Sequence, residues 1–221
     1  GKYGFRVDKN LKKLILNNRD MILEISNERI FREFEKILFL SNNFIALKFL
    51  DELGVLQLII GKNDNICKLR NKNRIVLWSL LALGSSDFPY YFVEEKKLIN
   101  DIGALVKAYN DLRLLEKNYS TYNLKKIAVK VDIKTLCRIY YELHENIDFI
   151  KIVYGDYLSF RRDLPPFIMG KDLLDLGLKN NEKFGKILGY LYDKQLQGEF
   201  ETKEEVINYV KNRYKEFTNF S

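Results

Sequence analysis

The sequence predicts an all-α fold. Three observations lead there. Apolar residues recur at three- and four-residue spacing over long stretches, glycines fall where those stretches end, and the 221 residues include only 3 prolines, Pro89, Pro165 and Pro166. Strict alternation of apolar and polar residues, the mark of a half-buried strand, is scarce.

The elements follow in order. Helices are expected at about 9–17, 27–39 and 42–53. Ile30, Phe31, Phe34, Ile37 and Leu38 make one apolar stripe. Ser26 stands before it as an N-cap, with Glu28 in the first turn, where the helix dipole favours an anion. Gly54 marks a stop. A charged, helix-poor loop runs from Gly61 to Arg74, and a block of helices then continues to Arg162, punctuated at Gly84. Trp78 lies in the apolar run Ile75 to Leu83 and is expected in the core. Leu164-Pro165-Pro166 breaks the chain, because proline donates no amide hydrogen bond and disfavours α in the residue before it. Two closing helices are expected near 182–197 and 203–217, on the stripes Phe184, Ile187, Leu188, Leu191 and Val206, Val210, Tyr214, Phe217. Thr202 with Glu205 has the capping-box pattern. Three segments result: 1–61, 62–162 and 163–221.

Composition narrows the function classes. Hydrophobic residues make up 47% and charged residues 30%, a globular mix. No stretch approaches the roughly 18 apolar residues of a membrane helix. The start of the sequence has no apolar signal core and no membrane partner is expected, while two cysteines without a disulfide framework make a reducing cytosol, a cytoplasmic setting, the default. Cys67 and Cys137 form no disulfide framework, and with the single His144 they make no convincing zinc site. The net charge of +7 favours a polyanionic partner, either nucleic acid or an anionic surface, over a protein that merely happens to be basic.

One stretch is more specific. It reads Leu164-Pro165-Pro166-Phe167-Ile168-Met169-Gly170-Lys171-Asp172-Leu173-Leu174-Asp175-Leu176-Gly177-Leu178, then Phe184-Gly185-Lys186-Ile187-Leu188-Gly189-Tyr190-Leu191, then Gln195-Leu196-Gln197-Gly198-Glu199. It resembles the tail of class II tRNA nucleotidyltransferases, the group of CCA-, CC- and A-adding enzymes and bacterial poly(A) polymerases. That pattern has Gly-Lys-Asp-Leu, then Leu-Gly, Gly-x-Ile-Leu and Gln-Leu-x-Gly. Gly170 would permit a tight start to a short helix and Gly177 a left-handed exit, while Gly185 and Gly189 would let a neighbouring backbone approach. The family's proline-containing turn is replaced by Lys179-Asn180-Asn181-Glu182, in which Asn tolerates the left-handed region. Near the other end, Lys2 to Asp8 resembles the family's head–neck junction, and Ile25-Ser26-Asn27-Glu28-Arg29-Ile30 its neck helix start. Ala46-Leu47 and Leu53-Gly54-Val55-Leu56 are similar to the neck's closing helix.

The resemblance implies an elongated neck (1–61), body (62–162) and tail (163–221) that hold tRNA by its acceptor/T-arm and elbow backbone. The parent enzyme would add C and/or A to the tRNA 3′ end. Magnesium, CTP and ATP would belong to an N-terminal catalytic head, because this sequence has neither the Gly-Gly nor the Asp-x-Asp that carries the metal-binding carboxylates. No cofactor and no catalytic residue are expected in this chain, and it should be inactive alone. Arg161-Arg162-Asp163 copies the letters of a head motif out of place. A poly(A) polymerase part and a protein-interaction scaffold are the alternative readings.

Candidate RNA contacts are Lys68, Arg70, Lys72 and Arg74, either a phosphate-gripping run or a solvated loop. Lys126 and Lys130 would share one helix face with Lys125 beside them, for backbone contact or for solvent. Arg161 and Arg162 would end a long helix, where cations offset the dipole. Lys171, Lys183 and Lys186 surround the tail signature, with Asp172 expected as a helix cap. Tyr140, Tyr141, Tyr154 and Tyr157 are expected mainly as packing residues, and His144 at a surface or helix end.

Overall fold

Asp8 starts the first helix. Its carboxylate accepts the N–H groups of Asn10 at 2.8 Å and Leu11 at 3.4 Å, satisfying donors that a helix start leaves without partners. The structure is a computed structural model that describes residues 7–69, 73–85, 88–90, 93–178, 184–213 and 217. Among them are α1 (Lys9–Asn18), α2 (Asn27–Leu38), α3 (Asn43–Glu52), α4 (Val55–Ile60), α5 (Arg74–Leu83), α6 (Lys96–Lys117), α7 (Thr121–Ala128), α8 (Ile133–His144), α9 (Ile147–Phe160), α10 (Gly170–Asp175), α11 (Phe184–Gln197) and α12 (Lys203–Asn212). Short 3-10 turns cover Arg19–Glu24 and Ile66–Lys68, and no strand occurs among the described residues. The fold is all-α, as predicted. None of the described helices is long and apolar enough to cross a membrane.

The chain forms two compact units. The first comprises residues up to Arg113 with Lys134–Ile150, and the second Leu114–Ile133 with Lys151 onward.

In the first unit, Ser26 caps α2 through its hydroxyl, which accepts the Arg29 N–H at 3.4 Å. Phe31, Phe34 and Leu38 carry the buried stripe of α2. Every residue of α5 from Val76 to Ala82 is buried, so this helix is apolar all round and fills the core. Trp78 is fully buried, stacks on Phe31 at 5.4 Å between centroids and meets Phe88 edge-on at 6.2 Å. Its indole N–H donates to Glu35 Oε1 at 2.9 Å, the partner that a buried indole needs.

The loop after Gly61 is anchored to the end of α5. The buried Asn63 amide donates to the Leu81 carbonyl at 2.7 Å, and the Asn65 amide to that of Leu80 at 3.0 Å. Gly84 ends α5 as expected, but its backbone is right-handed, at φ −89°. Glycine is needed there for closeness: a Cβ would collide with Asn63 Oδ1 and lie 2.9 Å from Asn65 Cβ. Tyr140 is buried, as expected, whereas Tyr141 is 45% exposed, because the two point to different sides of α8. His144 closes α8 at the surface, with Nε2 2.6 Å from the Tyr109 hydroxyl.

The second unit packs α10, α11 and α12 around Leu173, Ile187, Leu191, Val206 and Val210. Its helix ends explain the signature glycines. After α10 the N–H of Leu178 reaches the Leu173 carbonyl at 3.1 Å and that of Gly177 the Leu174 carbonyl at 2.8 Å. After α11 the pairs are Glu199 to Lys194 at 3.1 Å and Gly198 to Gln195 at 2.9 Å. Both sets have the Schellman pattern, and both glycines sit at φ +87°. Thr202 caps α12 by accepting the Glu205 N–H at 3.3 Å, and the Glu205 carboxylate reaches back to the Glu201 N–H at 2.8 Å. Gly185 and Gly189 depart from expectation. Both are exposed on α11, and a Cβ on either would meet open space, so neither admits a neighbouring backbone. The turn at 179–182 and residues 214–216 lie outside the described residues.

Candidate nucleic-acid interface

The two described members of the first unit's basic run, Lys68 and Arg74, are held by the protein itself. Lys68 ends the 3-10 turn Ile66–Lys68, and its ammonium donates to the Leu143 carbonyl at 2.5 Å. Arg74, the first residue of α5, bridges two acids. Its Nε donates to Glu35 at 2.6 Å, and its terminal nitrogens to both oxygens of Glu95 at 2.9 and 2.6 Å. These hydrogen bonds hold the Glu95 carboxyl below its ordinary range and raise the guanidinium's pKa. Such an arginine is a clamp between helices before it is a phosphate ligand. Arg70 and Lys72 lie outside the described residues.

In the second unit, Lys126 is exposed on α7, with Nζ 5.1 Å from the Tyr122 ring centre. Lys130 does not share its helix face. The helix ends at Ala128, and Lys130 lies in the turn beyond, where its N–H donates to the Ile127 carbonyl at 2.9 Å. Asp132 and the start of α8 follow within three residues, so no room remains for a further helical turn.

Lys171 is exposed in the first turn of α10, but that helix start is already served. Asp172 accepts the Met169 N–H at 2.7 Å and pairs with Lys203, so it caps the helix as expected. The Lys203 hydrogen bond, with the Met169 N–H, holds the Asp172 carboxyl below its ordinary value. A carboxylate therefore occupies the end of the helix that would otherwise attract a phosphate. Lys186 is exposed near the start of α11, and Lys183 lies outside the described residues.

The segment 7–60 carries a different surface. Arg32 pairs with Glu28, Lys36 with Glu33 at 2.7 Å, and Lys12 with Glu52 at 3.2 Å. Lys9, Lys13, Arg29 and Lys48 are exposed and make no ion pair with another described residue. Arg29 opens onto a groove of about 780 Å³ along α2 whose lining mixes Arg32 and Lys36 with Glu28, Glu33 and Glu35, beside Ser26 and Phe39. It reaches a second, apolar cavity of about 280 Å³ over Ile30, Phe34 and Val55. Among the described residues, no group of three or more His, Cys, Asp and Glu side chains could hold a metal ion.

That segment is where a known family matches. Residues 4–61 match the probable RNA- and SrmB-binding site of polymerase A. The match supports an RNA-binding region of poly(A)/CCA polymerase type at this end of the chain. No curated protein matches the chain, nor does any solved structure. The sequence reading placed no RNA contact within 1–61. Cations alternate with carboxylates along α2, and α1 holds only the short group Lys9, Lys12 and Lys13, so no long basic run marks them; the ion pairs reveal which cations are left over.

Proposed function

We propose that this chain is the tRNA-binding helical portion of a tRNA nucleotidyltransferase, with neck (1–61), body (62–162) and tail (163–221). In this reading it anchors the tRNA along its acceptor/T-arm and elbow backbone. An N-terminal head adds C and/or A, using CTP and ATP with magnesium, in the cytoplasm. The observation that carries it is the match of residues 4–61 to an RNA-binding region of polymerase type, together with a tail signature whose two glycines close Schellman motifs. A second reading, the helical part of a poly(A) polymerase, draws on the same match, since the matched region is that of polymerase A.

Binding separates these. Tight, strongly salt-dependent binding to tRNA over an unstructured oligonucleotide supports tRNA anchoring. Equal binding to both supports the polymerase reading, and salt-insensitive or undetectable binding defeats both. Incubation with tRNA, CTP, ATP and magnesium should give no incorporation by the chain alone, and any incorporation would refute a purely RNA-holding role.

A further inference from the structure

The fold brings Lys125 to the helix end that precedes two adjacent arginines, Arg161 and Arg162, which lie far from it in sequence. Lys125 on α7 places its Nζ 5.7 Å from the ring centre of Phe160, the last residue of α9. Arg161 and Arg162 follow directly, both exposed, in a turn where the Arg161 N–H donates to the Tyr157 carbonyl at 2.9 Å. None of the three makes an ion pair with a described residue. Asp163, next in sequence, pairs with none of them. The acids on the packed helices are engaged elsewhere. Asp156 accepts the hydroxyls of Tyr119 at 2.7 Å and Thr121 at 3.1 Å, and Asp193 that of Tyr122 at 2.6 Å.

A helix C-terminus offsets only about half an elementary charge. Even with the Asp163 carboxylate next in sequence, the end of α9 therefore leaves more than one positive charge of this group without compensation. A capping role for the arginines accounts for part of the charge and not for the group.

We infer that Lys125, Arg161 and Arg162 form a phosphate-gripping surface for structured RNA, separate from residues 4–61. The inference rests on the RNA-binding reading above and extends it to the second unit. Guanidinium forks match pairs of phosphate oxygens, and the ammonium adds a third point of contact. The backbone is the target rather than unpaired bases. Phe160 is 5% exposed under Lys125, and the Tyr122 ring lies beneath the Lys126 ammonium, so neither offers the open face that base stacking needs. Recognition by shape and backbone is how helical RNA is held.

The test is titration of the full chain with a blunt-ended RNA duplex over a range of salt. Arg161→Gln/Arg162→Gln should weaken binding about tenfold or more and flatten the salt slope by about 2, with Lys125→Gln removing about 1 more. Arg161→Lys/Arg162→Lys should restore most of the slope. Both arginines are exposed and lose only their effect on the helix dipole, so the glutamine variant should melt within a few degrees of the wild type and unfold as cooperatively, which separates lost contact from lost fold. If the wild type binds the duplex and the double glutamine variant binds it with the same slope, this surface is refuted while the general reading stands. If the wild type binds no duplex, this surface is refuted, and the general reading falls with it only if tRNA and the unpaired oligonucleotide are not bound either. A preference for an unpaired oligonucleotide refutes the backbone assignment.

Discussion

The Gln195 side chain holds Phe167 from 28 residues away, its Oε1 accepting the Phe167 N–H at 2.9 Å. The same amide donates from Nε2 to the carbonyls of Asp163 at 2.8 Å and Pro165 at 2.9 Å. Tyr192, one turn earlier on α11, donates its hydroxyl to the Leu164 carbonyl at 2.6 Å. The loop contains two prolines and so is short of amide donors of its own. Gln195→Ala should destabilise the chain by about 2–4 kcal/mol, because it strands one donor and two acceptors in a partly buried place. Gln195→Glu should be nearly as damaging, since it keeps the acceptor and loses both donors. Denaturant unfolding checks both, and a loss below about 1 kcal/mol would show that water replaces the amide.

The signature glycines should divide into two kinds. Gly177→Ala forces a Cβ into a left-handed backbone at φ +87° and should cost about 1–2 kcal/mol. Gly185→Ala and Gly189→Ala meet open space inside a helix and should each stabilise by up to about 1 kcal/mol. Thermal melts of the three variants test this, and a destabilised G185A or G189A would reveal a partner for that face of α11.

Arg74 lies in the basic run, yet its variants should report on stability. Arg74→Gln removes the bridge between Glu35 and Glu95 and should cost about 1 kcal/mol, kept modest because the arginine is 36% exposed. RNA affinity should change little. The comparison is the melting temperature against the dissociation constant for one RNA, and a variant that melts normally but binds weakly would reverse the assignment.

Acid should act through Asp172. Its carboxyl is held below its ordinary value of 3.8, first by the Lys203 hydrogen bond. The contribution to stability is therefore fully present above that value and lost as the pH falls through the lowered folded value. Asp172→Asn should melt earlier than the wild type at neutral pH, and the gap should close in acid. A gap independent of pH would mean that the charge plays no part.

Much of the fold was legible because helical periodicity and capping are local. The helices predicted at 9–17, 27–39 and 42–53 occur as Lys9–Asn18, Asn27–Leu38 and Asn43–Glu52, and Ser26 and Thr202 cap where their positions say. Interactions at a distance were not legible. Nothing near Gly84 announces Asn63, and nothing near Arg74 announces Glu95. The same holds for the interface. The sequence displays runs of charge, but which cations are neutralised depends on partners such as Glu35, 39 residues from Arg74. Lys125 and Arg161 enter one group only once α7 lies beside the end of α9.

The grip of Gln195 on the proline segment also sets an order of events during synthesis. The loop at 163–167 leaves the ribosome 28 to 32 residues ahead of the side chain that satisfies it. Until α11 has emerged and turned back, the two prolines interrupt the chain without giving the interruption a shape. The end of the sequence therefore specifies the bend that precedes it, and a chain truncated before Gln195 would retain the break without the donor that orders it.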